Sequence, residues 1–177
     1  AVRGCARRGT GGLVSERTER PETPGSGAEL RLPPLATAPL VALLMWLVAR
    51  GTPSWSIEFT GRRVVAWALL AAAVAVGVAG LAAFRRARTT VNPLRPERAS
   101  TLVTAGIYRH TRNPMYLALA IALLAWGQFL GHAVAPFGLA AFVAWMTHYQ
   151  IKAEERALVA LFGEEFNRYC REVRRWL

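Results

Sequence analysis

The chain has 177 residues, 53% of them hydrophobic, and a formal charge of +11; that length holds one main domain. A nucleic-acid binder gathers its basic groups on one accessible face. Here the arginines instead bracket long apolar blocks, as the positive-inside pattern of membrane proteins expects. With no aspartate anywhere, a Ser–His–Asp triad and an aspartyl-phosphate mechanism are excluded. There is also no Gly-rich phosphate loop, nucleophile elbow or paired-histidine metal spacing. Two cysteines at opposite ends, Cys5 and Cys170, imply neither a disulfide framework nor a metal site.

In chain order, residues 1–31 are rich in Gly, Arg, Glu, Thr and Pro. Such a segment buries too little apolar surface to offset the entropy of ordering, so it is expected to be a disordered tail without a signal-peptide core. Residues 32–177 then form a single membrane domain. The first apolar block is 32–49. The second, 64–84, has 21 uncharged residues between arginine pairs, enough to cross a bilayer core of about 30 Å at 1.5 Å per residue. Its Gly77 and Gly80 should let a neighbouring helix approach closely. Between these blocks lies a short loop with Trp55 at the interface.

Residues 85–112 form a polar connection with seven arginines and one acid, Glu97; it includes a turn at 89–93. The third block, 115–130, and the fourth, 133–149, are separated only by Gly131 and His132, which forces a tight helical hairpin. The fold expected is all-α: an integral membrane bundle of about four spans. By charge, the arginine-rich loop and both termini lie in the cytoplasm. From 152 to 177, Leu158, Leu161, Phe162, Phe166, Tyr169, Val173 and Trp176 recur every three or four residues. They mark one or two amphipathic helices, interrupted at Gly163.

The polar groups of residues 100–116 (STLVTAGIYRHTRNPMY) stand directly before the third block. Groups of this kind are costly at the mouth of a span and mark function. Pro114 suits the first turn of a helix, where its missing N–H is not needed. If blocks three and four form a hairpin, its open ends return to one membrane face. Arg112 and Asn113 then neighbour Glu154 and Glu155, either as a salt bridge bracing the hairpin or as a binding site. Gln128 reads as an interhelical hydrogen bond, His132 and His148 as interfacial residues, and Trp126 and Trp145 as packing or lipid contacts. Tyr169 and Arg171 read as helix packing and surface charge.

The string TLVTAGIYRHTRNPMY, followed by a hairpin and EERALVALFGEEFNRYCREV, resembles the isoprenylcysteine carboxyl methyltransferase family over residues 89–173. The resemblance implies S-adenosylmethionine held on the cytoplasmic side by Thr101, Leu102, Val103, Tyr108, Arg112, Asn113, Pro114, Met115, Tyr116 and Glu154. Arg112 and Glu154 would carry the site, with Arg112 clamping a carboxylate and Glu154 accepting from an amine or ribose hydroxyls. Two departures stand out. Asn113 occupies a usual histidine position, and Gln150 sits where the family's substrate-binding arginine is expected.

The function expected is methyl transfer to a lipophilic membrane acceptor, a prenylcysteine-like carboxylate or another lipid substrate, with the bilayer as partner and neither metal nor nucleic acid. Methylation of a phospholipid or other lipid amine is the alternative within enzymes. A nicotinamide-dependent membrane reductase and a non-catalytic membrane protein are the others.

Overall fold

The structure is a computed structural model that describes residues 34–87 and 102–177. The expected disordered tail, the turn at 89–93 and Thr101 lie outside the described residues. Every element described is helical: α1 Pro34–Gly51, α2 Arg62–Arg86, α3 Pro114–Leu130, α4 Ala135–Trp145, α5 Lys152–Phe162 and α6 Glu164–Glu172. Short 3-10 turns occupy Pro53–Trp55 and Gly106–Arg109.

Of the four expected spans, α2 is the one long and apolar enough among the described residues to cross a membrane. Its 25 residues carry a mean hydropathy of 2.4 over their most apolar window, and extend about 37 Å. Leu35–Gly51 and Pro114–Leu130 are apolar but shorter, and α4 has 11 residues. Only 17% of that α2 window is buried. Val64, Trp67, Val74 and Val78 are exposed along it, as suits a face turned to lipid.

Small residues bring the helices together. A Cβ at Gly77 would stand 3.6 Å from Ala118 Cβ, and one at Gly80 would stand 3.4 Å from Pro114 Cγ. These glycines therefore set the α2–α3 approach, as the sequence suggests. Where α1 crosses α4, a Cβ at Gly138 would come within 2.5 Å of Met45 Sδ. Met45, Tyr116, Ala120, Leu123, Phe142, Met146 and Ile151 form the buried centre of the bundle.

Two readings of the sequence are corrected. The fourth block does not end at residue 149: α4 continues through a π-helical segment, Met146–Ile151, directly into α5. His132 is 4% exposed, because it closes the hairpin turn onto the α1–α2 loop. Gln128 makes no interhelical hydrogen bond among the described residues, whereas Trp126 Nε1 donates to the Ala42 carbonyl at 3.0 Å.

The hairpin turn itself follows from Gly131, whose φ of 55° lies in the left-handed region that glycine enters without a Cβ penalty. Gly163 plays the same part between α5 and α6, with φ 51°. The chain reverses there, and Phe166, Tyr169 and Val173 pack with Leu102, Leu158 and Phe162 into a second buried cluster. Thus α6 lies over the loop that precedes α3.

Candidate functional site at the open end of the hairpin

Asn113 is the N-cap of α3 and Pro114 its first residue, so the loop ends where the ring's fixed φ begins the helix. This places Arg112 against α5 and α6. Its Nη1 lies 3.0 Å from Glu155 Oε1 and 2.6 Å from Cys170 Sγ. Its backbone N–H donates to the Arg174 carbonyl at 3.0 Å. The side chain is 13% exposed, and Nε is buried without a hydrogen-bond partner.

The sequence left open which glutamate meets Arg112, and Glu155 does. Arg175 grips the same carboxylate from the other side, Nε to Oε1 at 3.0 Å and Nη2 to Oε2 at 2.7 Å. Glu154 has a separate set of partners. Tyr116 donates its hydroxyl to Glu154 Oε1 at 2.5 Å, and Gln150 donates to the same oxygen at 2.6 Å. Burial raises the Glu154 carboxyl above the usual range, although the two donors pull it back.

Leu102, Val103, Arg112, Asn113 and Glu154 line one cavity of 140 Å³, together with Phe84, Ile151, Glu155, Leu158, Phe162, Phe166 and Tyr169. The other residues named from the sequence sit around it. Tyr108 is buried, packs edge-on against Phe84, and accepts the Tyr169 hydroxyl on its carbonyl at 2.7 Å. Burial holds both phenols well above their ordinary range, so both remain neutral donors. Tyr116 supports Glu154 from α3. Pro114 and Met115 lie against Gly80 of α2, and Met115 is 36% exposed. Gln150 belongs to the π segment; π turns are frequent at functional sites.

Glu155 enters the sequence reading only as a neighbour of Arg112, and Cys170 and Arg175 do not enter it as site residues. Tyr169 falls on the apolar stripe of the C-terminal helices, which was the available signal. Arg175 lies off that stripe, and the helical pattern read as far as Trp176 gives way to extended chain at Val173, after α6 ends at Glu172. A second, larger groove of 470 Å³ runs between Ala79, Ala82, Ala83, Arg86 and Ala87 and residues 102–107. It shares Leu102 and Val103 with the cavity. Among the described residues, no cluster of three or more His, Cys, Asp or Glu side chains could hold a metal ion.

Comparison with known proteins bears on the family of the chain. The family model described as phospholipid methyltransferase matches residues 61–165, from the start of α2 to the start of α6. An uncharacterized protein of Haemophilus influenzae is 44% identical over 63 residues, which are 36% of this chain and all of that one. The Protein-S-isoprenylcysteine O-methyltransferase of Schizosaccharomyces pombe is 37% identical over 73 residues, 41% of this chain. Those residues span only 30% of the yeast enzyme. No solved structure matches. The family match takes in the apolar α2, the polar loop, the hairpin and Glu154–Glu155; the chain belongs to the phospholipid methyltransferase family and is a membrane methyltransferase.

Proposed function

We propose that the protein transfers a methyl group from S-adenosylmethionine to a lipophilic acceptor at the cytoplasmic face of the membrane. The observation that carries this reading is the Arg112 guanidinium. Its Nη1 is engaged, while Nε is buried and unpaired beside a cavity that also presents Glu154. An unpaired buried N–H costs about 1–3 kcal/mol, and the cost is removed when a carboxylate occupies that edge. Arg112 and Glu154 are the residues assigned to the cofactor's polar end: guanidinium to carboxylate, glutamate to amine or ribose hydroxyl. Leu102, Val103, Phe162 and Phe166 offer apolar walls. Thr101, Tyr108, Asn113, Pro114, Met115 and Tyr116 complete the proposed set, the last four by fixing the loop and Glu154.

S-adenosylmethionine, when bound, supplies a methyl group already activated on a sulfonium. The protein's task is then alignment and exclusion of water rather than acid–base chemistry. At 140 Å³ the cavity is below the roughly 300–1,000 Å³ of ordinary ligand pockets. Taking a whole nucleoside therefore requires the cavity to widen. The acceptor is assigned to the groove along Ala79, Ala82 and Ala83, because that groove lies on the apolar α2 and shares Leu102 and Val103 with the cavity. A carboxylate acceptor of the prenylcysteine kind is the first reading. Gln150 is neutral and engaged with Glu154, which supports a lipid amine as the second, since an amine needs no cation there.

Calorimetric titration of the detergent-solubilised protein tests the reading. Saturable binding of S-adenosylmethionine, abolished in Glu154→Ala and absent for a reduced nicotinamide, is the expected result. A folded protein that takes up the nicotinamide, or neither ligand, would overturn it.

A further inference from the structure

Beyond α6 the chain runs on as an extended strap: Val173 has φ −122° and ψ 133°, and the residues after it lie across the site loop. The Arg174 carbonyl accepts the Arg112 backbone N–H at 3.0 Å. The Arg175 carbonyl accepts Asn113 Nδ2 at 3.0 Å and Thr111 Oγ1 at 3.4 Å. Trp176 Nε1 donates to Thr147 Oγ1, in the π segment, at 3.1 Å. The strap thus joins the loop before α3 to the helix that carries Glu154 and Glu155.

One contact of the strap is chemically different from the rest. Arg175 binds Glu155 bidentately, and that carboxylate also takes Nη1 of Arg112. A guanidinium held at one nitrogen alone still rotates about its side-chain torsions; here the acceptor is itself fixed by a planar two-point grip. The consequence lies on the unused part of Arg112. Nε is buried with no partner, and among the described residues every polar contact of this side chain runs through Nη1. Nε and Nη2 form the edge that receives a carboxylate through two parallel N–H···O bonds.

Building on the cofactor reading above, we propose that Arg175 is a positioning residue for the cofactor carboxylate. It pins Glu155, and Glu155 in turn holds the Arg112 guanidinium with its Nε–Nη2 edge free. A strap that only braced the fold would affect every ligand alike. A strap that aims Arg112 matters only to ligands that carry the carboxylate, and this separates the two roles.

The experiment compares S-adenosylmethionine with its decarboxylated analogue, which keeps the nucleoside, the sulfonium and the amine. Both are titrated calorimetrically into the full chain in detergent. Arg175→Gln is expected to weaken S-adenosylmethionine about tenfold and to leave the analogue unchanged, with partial recovery in Arg175→Lys. In an Arg112→Lys background, which lacks the two-nitrogen edge, the Arg175→Gln effect should vanish. Equal weakening of both ligands, or of neither, overturns the positioning role while leaving the cofactor reading intact. Failure of the unsubstituted protein to bind S-adenosylmethionine overturns both. Should Arg175→Gln not fold, Glu155→Gln carries the same readout, because it keeps the size and removes the charge that both arginines share.

Discussion

The two ends of the α3–α4 hairpin both gather polar groups beside apolar helices, yet they complete their hydrogen bonding to different degrees. At the closed end, His132 Nδ1 accepts from the Val134 N–H at 3.1 Å, which leaves the proton on Nε2. Nε2 then donates to the Thr52 carbonyl at 2.8 Å, with Thr52 Oγ1 also in range. The backbone of the α1–α2 loop joins in, with Ile57 N to Gly131 O at 2.6 Å and Ala133 N to Trp55 O at 3.1 Å. Each ring nitrogen is used. At the open end, Glu155 is doubly paired but Arg112 Nε is not, and a cavity lies alongside. A polar cluster that serves only the fold saturates its bonds, because each unpaired buried group costs stability. One that awaits a ligand keeps an open valence.

Substitutions at the two ends should therefore separate binding from stability. The largest effect is expected at Arg112. Arg112→Ala should reduce S-adenosylmethionine affinity on the order of 100-fold, the magnitude of losing a bidentate charge-assisted contact, measured by calorimetry. Its thermal midpoint should change little, since Arg175 still holds Glu155. His132→Ala should show the reverse. It leaves the Val134 amide and Thr52 carbonyl without their partner, which lowers stability by about 1–3 kcal/mol. The folded fraction should bind the cofactor normally; a parallel loss of binding would show the ends to be coupled.

Glu154→Gln sharpens the contrast through pH. Burial raises the Glu154 carboxyl in the folded protein, so the folded state holds its proton to higher pH than the unfolded chain. Stability from this group is present below the unfolded value of 4.5 and is lost as pH rises through the folded one. The amide variant should lose that pH dependence and melt slightly higher at neutral pH, yet bind S-adenosylmethionine more weakly. Thermal scans across pH, paired with titrations, check both halves. The smallest effect is expected at Arg171. Its pair with Glu164 is 3.9 Å long, and the side chains are 69% and 86% exposed. Arg171→Ala should change neither melting nor binding.

Much of this architecture is legible from residue chemistry. Asn113-Pro114 announces the start of α3, Gly131 its end, and Gly163 the break before α6, because each position requires a backbone state that those residues favour. The meeting of the arginine loop with the double glutamate follows from the hairpin alone. Other features do not. The π segment at Met146–Ile151 is bonded from i to i+5, so it shifts the phase of everything after it. A regular helical projection from the hairpin therefore cannot tell which of Glu154 and Glu155 faces Arg112. The burial of His132 is not readable locally either, because its partners lie 80 residues away in the α1–α2 loop.

The helical blocks, the hairpin, the amphipathic C-terminal pieces and the polar loop before α3 can be read from the residues alone. Each of these depends on local periodicity and on backbone preferences within a few residues. Tertiary structure decided which polar atoms are paired and which stay open: Arg112 on Glu155, Glu154 on Tyr116 and Gln150, and Arg175 across the loop. Those outcomes depend on helix phase and long-range packing, and single bonds of about 1 kcal/mol select among neighbours only after the apolar bundle has fixed their positions.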